Sequence, residues 1–544
     1  MKALLAAGAA LLAAGCASFA QPGGDAEYDV VIRNGRVLDG AGNPFVIADV
    51  AILDGRFAKI GRVEGRGRTE IDAAGDYVTP GWIDVMDQSG EALLQSGLAE
   101  NKLRQGVTTA IAGEGGTPVP AAGVDEFFRT LQKQGLSINW GTYYSATQAR
   151  TEVMGDVAGT PTAEQLARMQ DNVRQAMAAG AFGIADALIY PPGSFQSTEE
   201  LIALATIAAQ SGGIYASHIR NESEDLLKAV QEAIRIAEEA HIRVEIFHLK
   251  AAYAPGWGRL MPRAGAAIEA ARARGVDIAA DMYAYPAGGT ALAITVPNHV
   301  FEEGADKGIE ALRDPALRRQ LKKEVAAGSL PGWSNLVMAS GGWKNVVVAN
   351  AMSEDYDRFN GQSVAQIART LHRDPADTAW DIVAAAWPKP AMALFFMMSE
   401  RDIETALRFP WTSIGSDASA AVEAGKADAL GLPHPRSYGN AARVIAEYVK
   451  RRHVLTLEDA VRKQTSWAAA RMGLGDRGVI REGLRADVTV FSYERLDDRA
   501  SWKEPTLYPE GIDYVLVNGT PVIWQGRHTG AKPGVVLRGP GYAR

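Results

Sequence analysis

Ile214-Tyr215-Ala216-Ser217-His218 and Val244-Glu245-Ile246-Phe247-His248 decide the reading of this chain. Each is an apolar run that closes on a histidine, and a helix-like segment, Ser223 to Ala240, joins them. Repeated strand–helix–strand patterning predicts parallel strands, so both imidazoles leave the same C-terminal edge of one sheet. That edge is where α/β barrels keep their chemistry. A lone histidine at a strand end more often hydrogen-bonds within a core. Two on neighbouring strand ends point to metal ligands.

Outward from this pair, 544 residues suffice for a large barrel and a smaller domain. A formal charge of −8 argues against a nucleic-acid partner. Residues 1–20 read as an export signal: Lys2, an Ala/Leu run from Ala3 to Ala14, then small residues. Leu12-Ala13-Ala14-Gly15-Cys16 resembles a bacterial lipoprotein box with Cys16 acylated, while Ser18-Phe19-Ala20 would serve an ordinary signal peptidase. Either way the expectation is a periplasmic protein, anchored to the membrane if Cys16 is lipidated. Cys16 is the only cysteine, so the mature fold has no disulfide and no thiolate ligand or nucleophile.

The flanks alternate like strands. Tyr28 to Arg33 precedes Asn34-Gly35, a hairpin signal, and Ala48 to Leu53 precedes Asp54-Gly55. Ala486 to Phe491 and Tyr514 to Val517, with Asn518-Gly519, mirror them at the far end. Neither flank has enough apolar surface to stand alone. Residues 26–79 and 480–544 are therefore expected to join as one small β-sandwich around a barrel at 80–479. Thr162-Ala163-Glu164-Gln165 and Ser197-Thr198-Glu199-Glu200 have capping-box spacing. The stretch from about 299 to 376 is charged, rich in helix formers and poor in strand periodicity, and reads as an insertion over the site.

Asp417 ends the apolar strand Trp411 to Ser416. A carboxylate beside a metal-activated water can take its proton and later protonate a leaving group. Alone it would read as a helix N-cap; beside two strand-end histidines it reads as catalytic. Glu114, in Gly113-Glu114-Gly115-Gly116 after the strand Val107 to Ala112, is either an oxygen ligand or an exposed residue of a turn. Lys250 and Arg436 stand near active-edge loops and suit a substrate carboxylate, although most such cations are simply solvated. Tyr283 more often would be core.

Together these residues resemble the N-acyl-D-amino-acid deacylases (D-aminoacylases) of the amidohydrolase superfamily, from roughly Tyr28 to Arg538. The pieces are Thr79-Pro80-Gly81-Trp82-Ile83-Asp84, Gln105-Gly106-Val107-Thr108-Thr109, His218-Ile219-Arg220, His248-Leu249-Lys250 and Ile414-Gly415-Ser416-Asp417. Pro433-His434-Pro435-Arg436, Tyr508-Pro509-Glu510-Gly511-Ile512 and Val517-Asn518-Gly519 continue them. The resemblance implies a (β/α)₈ TIM-like barrel, zinc on His218 and His248, and Asp417 as general acid/base. It also implies Lys250, Tyr283 and Arg436 around the substrate carboxylate. Three departures stand out. Where the family carries His-x-His this chain has Met86-Asp87-Gln88, and the family's cysteine ligand aligns with Gly115. A family serine near the carboxylate aligns with Gly289, beside Thr290. Glu114 is the substitute ligand this implies, giving three protein ligands, an open position and one zinc per chain.

The expected activity is zinc-dependent hydrolysis of N-acyl-D-amino acids. The alternatives are a dipeptidase for peptides with a C-terminal D-residue and a silent binding lipoprotein. Oligomeric state is left open.

Overall fold

The computed structural model describes residues 26–422 and 433–543; the leader and Cys16 lie outside them. Eight strand positions run parallel and pair in chain order: Trp82–Asp87, Val107–Ala112, Asn139–Thr142, Gly183–Ala187, Ile214–His218, Arg243–Ile246, Ile278–Met282 and Thr412–Ile414. The third strand is broken at Tyr143 and resumes as Tyr144–Ser145, which pairs with the fourth. The eighth returns to the first through the Asp417 N–H to Met86 C=O bond (2.9 Å) and the Gln88 N–H to Ala418 C=O bond (3.2 Å). The strands are buried along almost their whole length, as a sheet covered on both faces requires. Val85, Ile111, Tyr143, Ala185, Ala216 and Phe247 belong to one apolar cluster that fills it.

The helix joining the two histidine strands spans Leu226–Ala240 and buries Leu226, Val230, Ala233, Ile234 and Ala237, the stripe of an amphipathic helix. It starts later than Ser223, whose hydroxyl donates to the Ala252 carbonyl. Thr162 and Gln165 form the expected capping box. Ser197 caps its helix on the Glu200 N–H, but the Glu200 carboxylate turns inward to the buried Arg150 guanidinium at 2.8 Å.

Strands from both chain ends join in one hydrogen-bonded sheet of nine, and Val30, Ile32, Val50, Val78, Val488 and Leu516 from the two flanks share one apolar cluster. Asp54-Gly55 and Asn518-Gly519 are hairpin turns with positive φ at both residues. Asn34-Gly35 is not. The strand Tyr28–Val37 runs through it with a bulge, and Asn34 takes φ +57°. There the strand changes parallel partner from Gly67–Asp72 to Tyr77–Pro80. A Cβ at residue 35 would stand 2.5 Å from Val78 Cγ2, so glycine serves close approach rather than a turn. Beyond His528 the chain leaves this sheet, and Gly534 and Val536 bridge to Leu136 and Trp140 of the barrel.

The excursion between the seventh and eighth strands is longer than the expected 299–376. Gly288–Ala291 and Met392–Phe395 pair antiparallel, with Val346–Asn350 on the other side of Met392–Phe395. Strands of four or five residues are too short for periodicity to reveal.

The join between first and eighth strands is polar. Lys102 Nζ lies 2.8 Å from both Asp84 Oδ2 and Asp87 Oδ1, 2.7 Å from Ser416 Oγ and 2.6 Å from the Ala418 carbonyl. Burial opposes its charge, but Asp84 and Asp87 hold its pKa above the ordinary lysine value. Lys102→Met would strand two buried carboxylates, and urea unfolding is expected to show a loss of roughly 3–5 kcal/mol. A loss under about 1 kcal/mol, the worth of a surface pair, would contradict this account of the join.

Candidate metal centre

His218 is the last residue of the fifth strand, and His248 lies two residues beyond the sixth. His248 has φ +35° and Asp417 φ +50°, left-handed conformations that cost a non-glycine residue on the order of 1–3 kcal/mol. Each is held by its backbone: the His248 N–H donates to Asp281 Oδ1 at 2.9 Å, and the Asp417 N–H to Met86. Burial pushes the Asp281 carboxyl well above the carboxylate range. Glu114 follows Gly113, at φ +115°, where a Cβ would meet Thr142 Oγ1 and the Tyr143 carbonyl at 2.6 Å. Glycine is what lets this loop fold back over the strand ends.

These elements bring Glu114, His218 and His248 together, with their donor atoms all within 4.8 Å of one another. Glu114 Oε1 stands 2.8 Å from His218 Nδ1 and 3.4 Å from His248 Nε2. Asp417 Oδ2 is 4.0 Å from the same His248 Nε2. Arg436 Nη1 lies 2.7 Å from Asp417 Oδ2, and its guanidinium covers the Tyr283 ring at 4.7 Å. Arg436 Nε, although buried, makes no hydrogen bond among the described residues. Thr290 Oγ1 donates to Tyr190 rather than into the centre. Met86 turns into the barrel interior.

Glu222 belongs to the centre, and no sequence motif singles it out. Its Oε1 is 3.1 Å from His248 Nδ1 and its Oε2 3.4 Å from His218 Nε2, so one buried carboxylate backs both rings. It also holds Lys250 Nζ, which lies 2.7 Å from His248 Nδ1. Lys250 is thereby tied to Glu222 and His248, and both it and Arg436 line the cavity. The one signal for Glu222 is its place four residues after His218, where an acidic residue ahead of a helix usually reads as solvated.

The electrostatics call for a cation. Three carboxylates, Glu114, Glu222 and Asp417, face two fixed cations, Lys250 and Arg436. Burial alone would raise the Glu114 and Glu222 carboxyls, yet the neighbouring imidazoles, with Lys250 beside Glu222, hold both below the usual range. Burial disfavours a charged His218, but Glu222 and Glu114 outweigh it and push its pKa up to about 9. One carboxylate and two imidazoles are a fitting donor set for zinc or a similar divalent ion. The centre forms the floor of a cavity of about 550 Å³ whose upper wall includes Leu336, Met392, Leu394 and Met397.

A TIM-type barrel with a metal-binding donor set and a carboxylate at its C-terminal edge is the architecture of metal-dependent hydrolases that cleave amide bonds. A model described as the amidohydrolase family matches residues 424–523. Over 94% of this chain and 97% of the relative, the sequence is 32% identical to N-acyl-D-glutamate deacylase of Alcaligenes xylosoxydans xylosoxydans. It is 30% identical, with the same coverage, to D-aminoacylase of that organism. The crystal structure of N-acyl-D-glutamate deacylase from Bordetella bronchiseptica, complexed with zinc and a phosphonate mimic of the tetrahedral intermediate, superposes with a TM-score of 0.78. That match covers 94% of this chain and 99% of the other at 29% identity. The chain belongs to the N-acyl-D-amino-acid deacylases of the amidohydrolase family, enzymes that depend on a metal cofactor.

Because the folded-state pKa of His218 lies above the 6.5 of a free imidazole, its protonation stabilises the metal-free fold fully below about pH 6.5. That contribution, on the order of 3 kcal/mol, is lost as pH rises through about 9. Chelator-treated protein is therefore expected to lose stability to urea between these pH values, with His218→Gln flattening the slope. An unchanged slope in the variant would remove His218 as the cause.

Proposed function

We propose that this chain hydrolyses the amide bond of N-acyl-D-amino acids, with one zinc held by Glu114, His218 and His248. The observation that carries the reading is the convergence of that donor set with Asp417 and Arg436 on the floor of one cavity. Zinc bound there would polarise the acyl carbonyl and bring the pKa of water toward about 7.

The chain's own residues supply the rest. Asp417 takes a proton from the attacking water at Oδ1 or Oδ2 and returns it to the nitrogen of the departing amine. Arg436, on the cavity lining, supplies the positive charge for the substrate carboxylate, and the Tyr283 ring beneath fixes the plane of the guanidinium. Anchoring the carboxylate while the acyl carbonyl faces the metal donors sets two of the three points that distinguish enantiomers; the cavity wall sets the third. Glu222 and Lys250 hold the two imidazoles in place from behind. A dipeptide would need a carboxylate for its free amine. Beyond Glu114, Glu222 and Asp417, the described lining offers Glu91, which is exposed at the mouth, so acyl substrates are favoured. The leader at residues 1–20 supports export to the periplasm, with Cys16 as the point of lipid attachment.

Asp417→Asn, with zinc content unchanged, is expected to lower kcat on an N-acyl-D-amino acid by about 10²–10⁴-fold. Wild-type turnover in that variant would end the assignment of Asp417. Removing the second carboxylate acts differently: Glu222→Gln should weaken zinc affinity by about 10–100-fold, measured by competition with a chelator. An unaltered zinc affinity would leave Glu222 without a part in the centre.

A further inference from the structure

We propose that Gln88 is a positioning residue whose side-chain amide bridges Glu114 and Asp417 in the place a second cation would occupy, so that the centre takes a single metal ion. The inference rests on the deacylase reading for the roles of those two carboxylates and deepens it.

Gln88 Nε2 donates to Glu114 Oε2 and, at 3.3 Å, to Asp417 Oδ1. The other oxygen of each carboxylate is already engaged: Glu114 Oε1 by the two imidazoles, Asp417 Oδ2 by Arg436. An NH₂ group carries two hydrogens, and two carboxylate oxygens are left to receive them. Turning the amide oxygen toward them instead would set three acceptors against one another, so the carboxylates fix the orientation of the group. The backbone of Gln88 is fixed as well, because its N–H donates to the Ala418 carbonyl across the join of the barrel.

The neighbours of Gln88 offer a metal nothing. Met86 is buried among the apolar residues of the barrel interior. Asp87 is bound by Lys102, the Ser89 hydroxyl and N–H, and the Trp140 indole. Gln88 alone of the three faces the cavity, and its amide nitrogen is a donor rather than a ligand. A cation entering between Glu114 and Asp417 would have to displace both hydrogen bonds. The neutral amide orders the two carboxylates without adding a charge beside either.

The test uses the full-length protein, saturated with zinc and then exchanged into metal-free buffer, with zinc per chain counted by elemental analysis. Wild type is expected to retain one. Gln88→Glu, which replaces the amide by a third carboxylate of the same shape, is expected to retain a second. Gln88→Leu should keep one zinc and lower kcat by about ten- to a hundredfold with little change in KM, because Asp417 loses its bridge to the ligand Glu114. Two zinc ions in wild type, one in Gln88→Glu, or a wild-type kcat in Gln88→Leu would each overturn the proposal. The counts need no substrate. Absence of turnover on every N-acyl-D-amino acid would instead remove the deacylase reading and leave the count to stand.

Discussion

Closing eight strands into a ring sets the first beside the last, and in this chain that join is made by charge rather than by apolar packing. Lys102 gathers Asp84, Asp87, Ser416 and the Ala418 carbonyl from both sides of it. Buried ions are costly unless paired and hydrogen-bonded, so the arrangement is tolerated only when every partner is in place. Asp417 and Gln88 sit directly at its upper edge, tied by main-chain bonds that cross the join. The same contacts that close the barrel therefore set the separation between the acid/base carboxylate and its bridge.

Around that fixed edge two carboxylates enclose the pair of imidazoles. Glu114 faces the inner atoms of the two imidazoles, and Glu222 faces their outer atoms. Lys250 pairs with Glu222 and Arg436 with Asp417, which leaves one negative charge, that of Glu114, among the metal donors. The positive φ values of His248 and Asp417 belong to the same design. Both residues are turned out of the strand direction to reach the centre, and Asp281 and Met86 hold them there.

Most of this is legible in the sequence because it follows from periodicity. Parallel strands that end in or just before His218, His248 and Asp417 are enough to put the chemistry at one edge of the sheet. What the sequence hides depends on tertiary contacts. Asn34-Gly35 carries the strongest local signal for a turn, yet a strand that must change partners uses it as a bulge. Glu222 looks like an ordinary acidic residue ahead of a helix until the fold places it behind two rings. Lys250 reads from sequence as a residue for the substrate carboxylate, and only its contacts to Glu222 and His248 reveal a brace. Gln88 reads as the loss of a ligand, because sequence shows which donor is missing but not which hydrogen bonds replace it.

One metal ion on Glu114, His218 and His248, serving an enzyme selective for the D-enantiomer, is the central claim. Zinc titrated into chelator-stripped protein, with initial rates followed on matched N-acyl-D- and N-acyl-L-amino acids, tests it most directly. Hydrolysis of the D-substrate is expected to rise linearly and reach a plateau at one equivalent per chain, with the L-substrate left intact. Activity in the stripped protein, a plateau only at two equivalents, or equal turnover of both enantiomers would contradict it.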